Sequence, residues 1–208
     1  MKLAFEAGIL SIIIALIRRG RLRRLADLEI KSLWLVFIPA FIIIVSMVLG
    51  KYLGKTILWS HLTGLLHIIA SIAFLVFFWA NRKLPGMKWF LAGWVLNLFP
   101  IVLNAGKMPV SEKAAAIAGV ADVLNRSEGM RHIVMSGSAW SKFNFLGDTI
   151  PVPKLITDAL PCGLSKVFSG IFSIGDVLMA VGIFILIQLT MCPKKSKTSR
   201  AAKEGCPD

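Results

Sequence analysis

Two aspartates are the residues best suited to chemistry in this chain. Asp176 sits inside the last apolar run, Phe168-Ser169-Gly170-Ile171-Phe172-Ser173-Ile174-Gly175-Asp176-Val177-Leu178-Met179-Ala180. An ionisable group in hydrocarbon costs about 2.5–3.5 kcal/mol on insertion scales, which makes it a functional candidate by default. Asp148 lies upstream in Phe145-Leu146-Gly147-Asp148-Thr149-Ile150-Pro151-Val152-Pro153. Two carboxyls brought close cannot both ionise cheaply, so one pKa rises and the other falls. Such a pair can activate water while protonating a leaving group.

Polar groups near these aspartates form two stripes. On a helix, Ser169, Ser173, Asp176 and Ala180 recur at i, i+4, i+7 and i+11, and Gly175, Met179 and Gly182 form an adjoining face that permits close packing. Gly93, Asn97 and Asn104 share a face of the preceding apolar segment. Two readings fit: the stripes line a hydrated cavity, or they hydrogen-bond to each other and hold a bundle together. In Asn104-Ala105-Gly106-Lys107-Met108-Pro109 the glycine and proline shape a turn, and Asn104 either presents its amide to a ligand or caps that turn. His132 is a candidate base, metal ligand or substrate contact, although a lone loop histidine is usually neither base nor metal ligand. No H-E-x-x-H, paired C-x-x-C, Walker A or dinucleotide motif occurs, so no metal and no cofactor are expected.

The elements that must position these residues are membrane helices. Of 208 residues, 56% are hydrophobic, and the mean hydropathy is +0.75, values of a polytopic membrane protein. The whole chain, 1–208, reads as one integral membrane domain: an all-α helix bundle with about five spans, at 3–17, 32–53, 62–80, 89–104 and 167–191. An outer segment covers 105–166 and a polar tail 192–208. The first stretch reads as a retained span, because its basic cluster follows it and no small-residue cleavage site is present. Within the outer segment, 111–126 reads as an amphipathic helix with Ile117, Val120 and Leu124 on its apolar face. Residues 131–149 read as loops or short strands, and Pro151-Val152-Pro153 as extended.

The net charge of +13 is a topology signal and not a nucleic-acid footprint. Fourteen of the 24 Lys and Arg cluster in 18–31, 82–88 and 194–203, alternating with the apolar runs. The positive-inside rule then places the N-terminus outside and the tail in the cytoplasm. The partners expected are membrane lipids, anionic headgroups above all, with no nucleic acid and no identifiable protein partner. Trp34, Trp79 and Trp89 mark the inner ends of their spans, and Tyr52 and Trp59 the outer ends. Cys162 falls outside and Cys192 and Cys206 inside, so no intrachain disulfide is expected.

Two resemblances follow from these residues. Asn104-x-Gly106-x-Met108-Pro109, Phe145-Leu146-Gly147-Asp148-x-Ile150-Pro151 and Ser173-Ile174-Gly175-Asp176-Val177-Leu178 resemble a family of bacterial polytopic membrane proteins known as a domain of unknown function. That implies bacterial origin and a membrane location. More locally, Phe172-Ser173-Ile174-Gly175-Asp176 is similar to the Phe-Asn-x-Ala-Asp start of the last helix in lipoprotein signal peptidases. In that family the aspartate is one of a catalytic pair at the outer leaflet, and Asp148 would correspond to its partner. Asn104-x-Gly106 with Ser111 is similar to the same family's Asn-x-Gly-x-x-x-Ser. Thr149 stands where that family has arginine, Ser173 where it has asparagine, and the Asn-Gly pair follows the fourth span where the family has it after the first.

The functional expectation is an outer-leaflet polar site of Asp148, Asp176, Asn104, Gly106, Ser173 and His132. Its leading reading is an aspartate-dyad hydrolase acting on a membrane-anchored peptide or lipid. The alternatives are a lipid or amphiphile binder or transporter, and a non-catalytic scaffold subunit. Carboxyls within about 4–6 Å favour the first, and a through-going cavity or a dry sealed bundle favours the others.

Overall fold

The computed structural model describes residues 2–53, 56–121, 132–135, 144–153 and 170–193. Its helices are α1 (Lys2–Ile17), α2 (Arg23–Ala26), α3 (Phe37–Leu53), entered through a 3-10 turn at Leu33–Val36, α4 (Ile57–Ala80), α5 (Met87–Leu103), α6 (Glu112–Ala118) and α7 (Ile174–Met191). Four short strands, β1 (Met108–Ser111), β2 (His132–Met135), β3 (Ile150–Pro151) and β4 (Ile171–Phe172), lie in the connections. The architecture is mostly helical, as expected. Two helical stretches are long and apolar enough to cross a membrane, His61–Ala80 and Ile174–Met191, and Leu33–Ser46 and Met87–Leu103 are shorter apolar helices.

Helix ends follow local chemistry. The Thr56 hydroxyl accepts the Trp59 N–H and starts α4 five residues before the expected span. Of the expected outer helix at 111–126, the described part is helical over Glu112–Ala118 and interrupted at Gly119, and 122–126 lie outside the described residues. Ser111 caps its start by accepting the Ala114 N–H, and Gly119, left-handed at φ 67°, ends it after seven residues. Its buried face is Ala114, Ala115 and Ala118, while Ile117 is exposed; Leu124 lies outside the described residues. Short strands at 132–135 and an extended Pro151 agree with the expectations for those segments.

The helices pack in the order α1–α7–α5–α4–α3. Helices α5 and α7 are antiparallel and meet through glycines. A Cβ on Gly182 would lie 2.6 Å from the Phe90 N and 2.8 Å from the Gly86 O, and one on Gly175 would lie 2.5 Å from the Gly93 O. Backbones that close leave van der Waals packing and interhelical hydrogen bonds to hold the pair. Beside that seam an aromatic cluster joins α4 to α5: Phe74 meets Trp94 edge-on at 4.9 Å and Phe78 meets Phe90 at 4.6 Å. The Trp94 Nε1–H donates to the Ser71 carbonyl at 2.8 Å, satisfying the only polar atom of a buried ring. Helix α1 runs parallel to α7, locked by the Gln188 amide, which donates to the Ser11 carbonyl at 2.7 Å, and by the Ser11 hydroxyl donating to the Phe184 carbonyl.

The described basic segments, 18–31 and 82–88, converge at one end of this bundle. Arg18 donates to the Gln188 Oε1 at 2.7 Å and Arg24 to the Met191 carbonyl at 3.0 Å, so the loop after α1 wraps the C-terminus of α7. Asn81, 3% exposed at the end of α4, accepts the Lys31 N–H and donates to the Lys31 carbonyl. Trp34, Trp79 and Trp89 are exposed at that end. Trp59 differs from the expected interfacial ring: it is 3% exposed and packed inside.

Candidate functional site

At the opposite end, the start of α7 is built by a reciprocal cap. The Ser173 hydroxyl accepts the Asp176 N–H at 3.0 Å, and an Asp176 carboxylate oxygen accepts the Ser173 N–H at 3.4 Å. Ser-x-x-Asp before an apolar run satisfies two backbone donors at once. This corrects the expected span at 167–191. Ile171–Phe172 is a strand, Ser173 is the cap, and Asp176 is the third helical residue, about 4.5 Å along the axis at 1.5 Å per residue. Ser173 and Asp176 therefore meet by capping; Ser169 of the expected stripe lies outside the described residues.

Helix α5 supplies the third member, Asn97. Its amide donates to the other Asp176 carboxylate oxygen at 3.4 Å, and its carbonyl accepts the Ser173 hydroxyl at 2.7 Å. All three side chains are nearly removed from solvent: Ser173 0%, Asp176 6% and Asn97 9% exposed. The glycines fix this arrangement. A Cβ on Gly175 would fall inside contact distance of the Asn97 Oδ1, so the small residue lets the amide reach across the seam.

Asp148 arrives from a small sheet. Strands β1 and β2 are parallel, with Met108 opposite His132 and Val110 opposite Val134. On the other edge of β1, Asp148 bridges Val110: its N–H donates to the Pro109 carbonyl at 2.9 Å, and its carbonyl accepts the Ser111 N–H at 3.0 Å. One residue on, the Thr149 N–H donates to the Phe172 carbonyl at 3.2 Å, and β3 and β4 pair antiparallel, Ile150 opposite Phe172. The chain carrying Asp148 is thus stitched to the residue that precedes Ser173. Burial, and then the negative charge of Asp176, push the half-buried Asp148 carboxyl up to about 7. The Asp148 carboxyl therefore exchanges its proton near neutral pH, with burial as the larger cause.

Of the six expected site residues, Ser173 and Asp176 are in direct contact, and Asp148 lies near enough for the Asp176 charge to act on its carboxyl. Asn104 has the capping role: its side-chain amide donates to the Pro100 carbonyl at 2.7 Å, in the last turn of α5. Gly106, left-handed at φ 86°, presses on Gly64 of α4, and its carbonyl meets the His67 Nδ1 at 2.7 Å. His132 sits in β2, two strands from Asp148, or about 10 Å at the usual strand spacing. The residue not assigned to the site from sequence is Asn97. Its signal was present in the Gly93–Asn97 stripe, four residues apart on the helix that faces α7. Among the described residues, no three of His, Cys, Asp and Glu gather as metal ligands.

Comparison with known proteins bears on this arrangement. An uncharacterized protein of Thermotoga maritima is 29% identical over 170 residues, covering 82% of each chain. No solved structure matches. The model of the Family of unknown function (DUF5317) matches residues 27–188, from the basic loop to the last turns of α7 and so across Asp148, Asn97, Ser173 and Asp176, and the chain belongs to that family.

Proposed function

We propose that the protein is an integral membrane hydrolase-like enzyme whose Asp148–Asp176 pair, at the outer face of a bacterial inner membrane, cuts a membrane-anchored peptide or lipid. The observation that carries this reading is that Asp148, on a separate element, feels the charge of Asp176, whose carboxylate Asn97 and Ser173 hold in a buried cap. In the reaction Asp176 takes a proton from water. The resulting hydroxide adds to the substrate carbonyl, and Asp148 gives its proton to the leaving group, so the scissile bond breaks with no net proton change. The proton that Asp176 took then passes to Asp148, which restores both carboxyls to their starting states. The glycine seam directly below favours a site over a conduit, since backbone contact between α5 and α7 leaves no path along that interface.

The reading includes a bundle of five spans, N-terminus outside and tail cytoplasmic. The gathering of basic loops at one end and of the aspartates at the other supports it. Membrane-impermeant thiol labelling of intact cells tests the orientation, using a chain stripped of its native cysteines. Ser138→Cys should react and Ser196→Cys should not; the reverse pattern inverts the topology. The activity is tested in a deletion strain of a bacterium that carries the gene. Mass spectrometry of its membranes should reveal an uncut peptide or lipid that disappears on complementation with wild type and persists with Asp176→Asn. Membranes indistinguishable among all three strains would reject the hydrolase.

A further inference from the structure

At the basic end, far from the aspartates, the α4–α5 turn lines an open depression of about 510 Å³. Arg82, Lys83 and Lys88 line it together with Pro85, Gly86 and Trp89. The segment 81–90 has three cations and no carboxylate. Among the described residues none of the three cations has an ion-pair partner. Arg82 is pre-set: it donates to the Trp79 carbonyl at 2.9 Å and stacks 4.6 Å over the Trp79 ring.

The start of α5 opens toward the same space. Gly86, left-handed at φ 78°, precedes the helix and supplies no side-chain cap. The N-terminal turn of a helix attracts anions and disfavours cations. Lys88, the second residue of α5, therefore sits where the helix itself would prefer an acid. A local conflict of this kind points to a ligand that resolves it. An anion between the Lys88 ammonium and the end of α5 would satisfy both. The turn is rigid enough to hold one, because Gly86 is pressed against Gly182 of α7 and the Leu84 N–H is tied to the Asn81 carbonyl at 2.9 Å.

We propose that this depression binds the phosphate of an anionic phospholipid headgroup, gripped by Arg82, Lys83 and Lys88, with the exposed Trp79 and Trp89 rings seated among the headgroups. The site rests on the membrane reading above but not on the hydrolase chemistry, so it stands or falls by lipid binding and not by activity. Tryptophans at the interface and cations facing the inner leaflet are the usual recognition elements for such lipids.

Native mass spectrometry of the detergent-purified protein, titrated with phosphatidylglycerol, phosphatidylcholine or inorganic phosphate, reads the affinity of the first retained molecule. Phosphatidylglycerol should bind at least tenfold more tightly than phosphatidylcholine, and inorganic phosphate should not be retained. Arg82→Gln/Lys83→Gln/Lys88→Gln should weaken phosphatidylglycerol about a hundredfold, at roughly fivefold per cation. Lys88→Glu, which suits the first turn of a helix and so keeps the fold, should cost at least tenfold. Lys113→Gln, at the other end of the molecule, should leave binding unchanged. Retention within about threefold of wild type in the triple variant and in Lys88→Glu overturns the site. Inorganic phosphate retained as tightly as phosphatidylglycerol overturns the lipid as its source.

Discussion

Asp148→Asn, Asp176→Asn and the double variant should abolish function to the same extent, because residues that act as a unit are non-additive. Rescue of a deletion strain, scored for each single variant and the double, measures this. Full rescue by Asp148→Asn with loss only in Asp176→Asn would leave a lone carboxylate and reject the pair. The same coupling has a signature that needs no substrate. Burial and the charge of Asp176 raise the Asp148 carboxyl to about 7, against about 3.9 for an ordinary aspartate. Between those values the folded protein holds a proton that the unfolded chain has lost, so stability falls as pH rises through that window and levels above about 7. Asp148→Asn removes the titration. Its melting temperature in detergent should match wild type near pH 4 and exceed it near pH 8. Asp176→Asn removes the second cause of the shift and should narrow the window from its upper edge. Curves for Asp148→Asn and wild type that stay parallel across the whole range would mean the Asp148 carboxyl is not raised.

The helices were legible in the sequence because apolar length and basic punctuation are strong signals; α1, α5 and the C-terminal end of α7 fall within about two residues of expectation. What was lost lay at helix starts and stops, where one polar side chain outweighs a run of hydropathy. Ser173-Ile174-Gly175-Asp176 is a capping pattern in its own right, but the apolar residues before it carried the expected helix back through Ile171 and Phe172, which instead pair with Ile150 and Pro151. Gly119 likewise ends α6 against the pull of an alanine-rich run. The candidate site was half visible. The two aspartates and Ser173 stand out by type and place. The convergence of Asn97 with them depends on α5 and α7 being antiparallel neighbours in one register, which no single segment encodes. Asn104, in a motif that looked equally chemical, spends its amide on the last turn of its own helix.

That register is set by glycine, and Gly175→Ala should be among the most damaging single substitutions in the chain. The added methyl would sit 2.5 Å from the Gly93 carbonyl oxygen and nearer still to the Asn97 Oδ1. Neither is the far end of a flexible side chain, since one is helix backbone and the other is held by the Ser173 hydroxyl at 2.7 Å. Overpacking a tight interface costs about 1–3 kcal/mol, and leaving the buried Ser173 hydroxyl and Asn97 carbonyl without each other adds about 1–3 kcal/mol. The total is a large fraction of the roughly 5–15 kcal/mol that holds a typical domain together. Gly8→Ala is the control. A Cβ there meets Ile183 and Ile187 at 3.8 Å, ordinary contact on the α1–α7 face, and alanine is the better helix former by about 1 kcal/mol. Thermal denaturation in detergent should therefore show Gly175→Ala strongly destabilised and Gly8→Ala unchanged or more stable. If Gly175→Ala melts with wild type, α5 and α7 do not approach through their backbones, and Asn97 then has no fixed route to Asp176.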